Sequence, residues 1–278
     1  MKAQVIARFT FREAARKKVL FGAIALTVAF VSLFGVGTYF AFRDLARQGL
    51  PFTMKEIAAS QILLAGLYVT NFIGGLLAIF ASVGTISGEM AEGTLDAIVP
   101  KPLRRWEIVA GKWVGYAAML LVYVFATSWL VIGLVYLFGD YLPPRPWESV
   151  MVMCFQALVL LSLCLLGSTF LSTVTNGIAV LMFYAIALVG GMVEQIGSLL
   201  NNGTMENIGI ISSLIIPSDT LWKMASHWLQ PRLPSLTSEM FGPFTVINPP
   251  SVWMLAYAGV YMLFTIGASM LVFQRRDL

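Results

Sequence analysis

A run of residues of both signs, able to recognise charge, lies between two long apolar stretches, from Gly88 to Lys112. Glu89 and Glu92 stand three apart, so on a helix they share a face. Asp96 follows, then Lys101, Arg104, Arg105 and Lys112. Gly93 suits the end of one short helix and Thr94 the start of the next, and Pro100 and Pro102 stop the second piece in a rigid turn. These residues carry no bond-breaking chemistry. Their chemistry is recognition by charge, either a docking surface for a partner with basic groups or, more plainly, a solvated helix end.

No other motif supplies a reaction. The nearest approach to a phosphate loop, Trp106-Glu107-Ile108-Val109-Ala110-Gly111-Lys112-Trp113, lacks the first glycine and the final Ser/Thr, so it can neither cradle phosphates nor ligate magnesium. There is no HExxH, no GxSxG and no pair of carboxylates inside an apolar run, so no nucleophile is visible. His227 is the single histidine, which argues against a histidine-based metal site. Cys154 and Cys164 lie in one apolar run, and ten residues of helix separate them by ~15 Å, too far for a disulfide. They read as buried apolar cysteines, and the expected site inventory is empty of catalytic, cofactor and metal residues.

The elements that hold the Gly88–Lys112 run are membrane helices. Of 278 residues, 58% are apolar and 12% charged, about half the charge of a soluble domain. With a mean hydropathy of +0.82, much of the surface must face lipid. A net charge of +4 raises the question of nucleic acid, but the basic residues gather at the ends of apolar runs, where they orient a membrane protein. Charge-free stretches then predict an all-α polytopic protein of six transmembrane helices in a single membrane domain. The expected spans are 19–42, 60–84, 113–137, 150–172, 176–198 and 251–273. An interfacial helix over 1–18, a connection over 85–106 and a loop with short helices over 199–250 complete the plan. The 45-residue run from Ser149 to Val193 holds two spans, broken near Ser172–Gly177. Thr53-Met54-Lys55-Glu56 after Pro51 reads as a capping box, starting the second helix outside the bilayer and bringing it out near Gly84.

Twelve of the eighteen Lys and Arg fall in the N-terminus, the second-to-third connection and the C-terminus, which places both termini in the cytoplasm. The N-terminal apolar run is too long for a secretory signal, and Arg8, Arg12 and Arg16 form a stripe suited to a helix at the inner surface. Past Pro217, Ser218 or Asp219 can cap a helix that groups Leu221, Ala225, Trp228 and Leu229, a pattern suited to the outer membrane surface. Gly84-x-x-x-Gly88 and Gly111-x-x-x-Gly115 permit close helix approach, within a subunit or between subunits. Gln61, Asn71, Gln156 and Asn176 are the larger polar groups of the spans and read as interhelical hydrogen-bonding residues.

The run Glu89-x-x-Glu92-Gly93-Thr94-Leu95, followed by Pro102-x-x-Arg105-Trp106-x-Ile108-x-x-Gly111-Lys112, resembles the coupling region of ABC type 2 permeases. The ending Phe273-Gln274-Arg275-Arg276-Asp277-Leu278 is similar to that family's, and the resemblance in length and span number covers the whole chain. At Arg104 many relatives carry a small hydroxyl residue. The resemblance implies a transport subunit of the plasma (inner) membrane that hydrolyses nothing itself and forms an exporter with a second permease subunit, identical or related. A cytoplasmic ABC ATPase subunit would carry the ATP and magnesium. Glu89, Glu92 and Asp96 would dock that partner, Gly93 and Thr94 would set the bend, Pro102 the turn, and Arg105 would anchor the re-entry at phosphate level. The rival readings are an ion-coupled carrier, which would want an ionisable residue at mid-membrane, and a polytopic membrane enzyme.

Overall fold

The computed structural model describes residues 2–16, 18–49, 51–91, 105–231, 246 and 249–275. Among them are ten helices and no strand: α1 Lys2–Arg16, α2 Lys18–Arg47, α3 Phe52–Ser82, α4 Ser87–Ala91, α5 Arg105–Gly139, α6 Pro146–Ser168, α7 Thr173–Leu199, α8 Gly203–Ile215, α9 Ser218–Leu229 and α10 Trp253–Arg275. Six helical segments are long and apolar enough to cross a membrane, built on α2, α3 with α4, α5, α6, α7 and α10. The protein is an all-helical, multi-pass membrane protein.

Helix limits follow local chemistry. The long apolar run breaks at 169–172, where Ser172 caps α7 by accepting the amide of Thr175 at 3.3 Å. The expected capping box at Thr53 does not form. Pro51 is the N-cap and makes no side-chain bond, because the helix begins at Phe52 and leaves Thr53 already inside the first turn. At the far end, α3 stops at Ser82, and an irregular turn over 83–86 leads into α4. Helices α3 and α6 form the centre of the bundle, with Leu63, Leu64, Leu67, Leu77, Leu160 and Leu161 fully buried. By contrast α2 lies at the edge, with Leu26, Val28, Leu33 and Val36 exposed.

The N-terminal helix packs along the start of α5. Thr10 and Ala14, one turn apart, are buried there. A β-carbon on Gly115 would lie 2.6 Å from Thr10 Cβ and 2.8 Å from the Ala7 carbonyl. The glycine spacing around Gly115 therefore serves a contact within the chain, as does Gly84, whose added β-carbon would meet Thr173 of α7 at 3.0 Å.

After α7 the chain turns on Asn202, whose side chain accepts the amides of Thr204 and Met205 and so caps α8. Helix α8 then doubles back along the last half of α7. Glycines make the approach possible: β-carbons on Gly197 and Gly209 would lie 2.7 Å from Met205 Cβ and 2.3 Å from Glu194 Cβ. At thirteen residues α8 is too short to cross, and its outward face carries exposed Ile208, Ile211 and Leu214.

Helix α9 does not rest on a membrane surface, as its sequence pattern led us to expect. It is buried on every side, from Ser218 to Ser226. Neither Ser218 nor Asp219 caps it; the N-cap is Pro217. The polar face that looked solvent-directed is instead neutralised inside the protein. Lys223, 2% exposed, sits 2.8 Å from Glu194 of α7 and 3.0 Å from Asp219 one turn back. The apolar face meets the bundle, with Trp222 edge-on to Tyr68 of α3 at 5.5 Å and Tyr141 donating to the Leu229 carbonyl.

Burial raises the Asp219 carboxyl from its ordinary 3.8 to about 6, against the opposing pull of Lys223 and with some help from Glu194. The native state thus holds the Asp219 proton more tightly than the unfolded chain does. Its stabilising contribution is full below pH 3.8 and is lost as pH rises to about 6. Replacing Asp219 by Asn is expected to flatten the dependence of melting temperature on pH across that window, measured in detergent. Lys223→Met leaves two carboxylates without a counter-ion and is expected to cost about 3–5 kcal/mol at neutral pH.

Candidate coupling site

Breaking α3 inside an apolar bundle frees carbonyl groups that water cannot reach, and each must find a donor. Two side chains from other helices supply them. Asn176 of α7 donates its amide to Val83 O at 3.0 Å and to Cys164 O of α6 at 2.9 Å. Lys112 of α5 donates to Thr85 O at 2.5 Å. Asn176 is completely buried, and a β-carbon on Gly167 would lie 2.0 Å from its Oδ1, so glycine is required to let it in. Asn176 is thus the interhelical residue that its type implies. A cation at the carbonyl end of α3 is also favoured by the helix dipole.

The turn keeps a helical sense: Thr85 N bonds Ser82 O, Gly88 N bonds Gly84 O and Met90 N bonds Ile86 O. Helix α4 therefore follows α3 after only a short interruption. Ile86 enters a small apolar cluster with Ile108 and Val109 of α5, Leu165 of α6 and Phe273 of α10, and Met90 packs on its edge. Ser87 and Thr173 share a hydroxyl hydrogen bond of 3.0 Å. The turn and the short helix that follows it therefore together touch the ends of four spans.

Glu89 is ion-paired with Lys112. The lysine is 5% exposed, whereas the carboxylate is part-exposed. Lys112 therefore joins two successive parts of one connection, the turn through Thr85 and α4 through Glu89, to the base of α5. From the sequence, Lys112 reads as a basic residue at the end of the loop and as the last residue of the family-like motif. Its signal was available: it lies two turns inside α5, too deep for a helix-end anchor, with an acid across the loop.

Of the expected docking residues, Glu89 is placed at this junction. Glu92, Gly93, Thr94, Asp96 and Pro102 lie outside the described residues. Arg105 opens α5, but its side chain is likewise outside them. Among the described residues no group of His, Cys, Asp and Glu is arranged to hold a metal. Cys154 and Cys164 are free and buried.

With this geometry in hand, comparison with protein families is decisive. A family model described as ABC-2 family transporter protein matches residues 4–278. The chain belongs to the ABC-2 transporter family. It is accordingly a transmembrane permease subunit of the ABC class, and the match runs from within α1 through α10. No curated protein matches the chain at a significant level.

Removing the Lys112 ammonium should strand a buried carbonyl and a carboxylate together. Lys112→Ala is expected to lose about 3 kcal/mol. The double variant Lys112→Met with Glu89→Gln should lose less than the sum of the single changes, by about 1 kcal/mol or more in a double-mutant cycle. Reversible denaturation in detergent measures both.

Proposed function

We propose that this permease is the membrane half of an exporter driven by a separate cytoplasmic ABC ATPase, which binds the ATP and magnesium. Two permease subunits and two ATPase subunits make up the assembly, in the plasma (inner) membrane, with both termini of this chain in the cytoplasm. The observation that carries the reading is the fixed link from α4 through Glu89 and Lys112 to α5. A push on the connection between α3 and α5 is delivered to α5 directly. Through the apolar cluster around Ile86, it also reaches α6 and α10.

In this scheme Glu92 and Asp96 hold the ATPase by charge, and Glu89 ties the docked segment to the transmembrane bundle. Gly93 and Thr94 set the bend, Pro102 stiffens the turn, and Arg105 fixes re-entry at the phosphate level. Nucleotide-driven closure of the partner then tilts the helices as rigid bodies, since the partner favours one of two arrangements. The positive-inside distribution of Lys and Arg supports the orientation. The absence of a phosphate loop from the sequence supports a separate motor.

The charge reversal Glu92→Lys tests docking. In proteoliposomes containing the co-purified ATPase, substrate-stimulated hydrolysis and transport are both expected to fall at least about tenfold, the effect of placing a like charge at a docking contact. Unchanged transport with unchanged stimulation would exclude the docking role.

A further inference from the structure

A groove of about 330 Å³ opens to the lipid side where α1, α2 and α5 meet. Its walls are Leu20, Ile24 and Val28 on one face of α2, and Met119, Val122 and Leu130 on α5. Phe11 of α1 stands at its mouth. Along α2 the lining covers about 12 Å and along α5 about 16 Å, roughly half of a ~30 Å hydrocarbon core. The groove is therefore one leaflet deep, beginning at the level of α1.

The walls are dry. Thr27 and Tyr123 hydrogen-bond to each other, and Thr127 donates to the Tyr123 carbonyl at 2.8 Å. At least two of the three hydroxyl protons along the groove are therefore already engaged within its walls. The mouth is different. Arg8, Arg12 and Lys18 are all exposed. On the wheel of α1, Arg8 lies about 60° and Arg12 about 100° round from Phe11, while Glu13 lies about 160° away on the far side. Lys18 begins α2 two residues before Leu20.

We propose that this groove holds an acyl chain of an anionic phospholipid from the leaflet at the α1 level, with its phosphate taken by Arg8, Arg12 and Lys18. An apolar trough one leaflet long under a cluster of cations matches that molecule at both ends. A second copy of the chain does not match. Two copies meeting here about an axis along the membrane normal would bring the same three cations together at one depth.

Native mass spectrometry of the whole chain, titrated with phosphatidylglycerol or with phosphatidylcholine of identical acyl chains, tests the proposal. The unmodified protein is expected to retain one phosphatidylglycerol with ~10-fold preference. The combined Arg8→Gln, Arg12→Gln and Lys18→Gln variant is expected to lose the preference, and Ala126→Trp, which fills the groove, to lose the retained lipid. Should Ala126→Trp fail to fold, Val122→Trp on the same exposed wall replaces it. Equal retention of the two lipids, a preference that survives the triple change, or full retention by the folded tryptophan variant would each overturn the proposal. Disulfide-linked dimers of Val122→Cys in native membranes would also overturn it by showing that a second copy occupies the face.

Discussion

A helix that ends inside an apolar bundle leaves carbonyl oxygens that need donors, and the way this protein meets that need organises the end of the bundle. Asn176 and Lys112 reach the turn after Ser82 from α7 and α5, each ending on a main-chain oxygen of the turn. Because the acceptors are backbone atoms, the path of the chain between α3 and α4 is held whatever side chains it carries. Because the donors come from two other spans, the turn cannot shift without moving them. An uncompensated carbonyl here would cost about 1–3 kcal/mol, which holds the turn in place.

The same logic recurs at the opposite end in a different chemical form. There α9 brings Lys223 into the protein, and Glu194 and Asp219 close around it. Such a charge group adds little net stability once desolvation is counted, but it is highly selective for position, since moving α9 by a turn would strand the ammonium. Small residues do the corresponding work for shape. Gly115, Gly167, Gly197 and Gly209 all lie where a β-carbon would collide with a neighbouring helix or with Asn176. Polar side chains thus choose the register, and glycines let the partners come close enough to use it.

Hydropathy and charge made an all-helical fold with six spans readable from the chain, because lipid imposes one rule on every residue that faces it. Residue patterns within the Gly88–Lys112 run were enough to recognise the family. Position inside the bundle was less readable. The face of α9 that carries Lys223 and Ser226 has the same pattern whether it meets water or a buried carboxylate, and only Glu194, 29 residues earlier, decides between them. Asn176 could be assigned an interhelical bond by type, but not Val83 as its acceptor, since main-chain carbonyls leave no trace in a sequence. The pairing of Glu89 with Lys112 was hidden for a related reason: the acid had been assigned an external role by resemblance, although a lysine of the same connection lay within reach.

The burial of α9 also bears on how the molecule is made. Its seat is bounded by α3, α6 and α7, all synthesised before it, while α10 follows. The earlier spans must therefore remain parted at that end until Leu229 has emerged, and only then can the ammonium leave water for the company of its carboxylates. The end of the bundle opposite α4 is thus closed by a segment that never crosses the bilayer, before the last span, α10, is added.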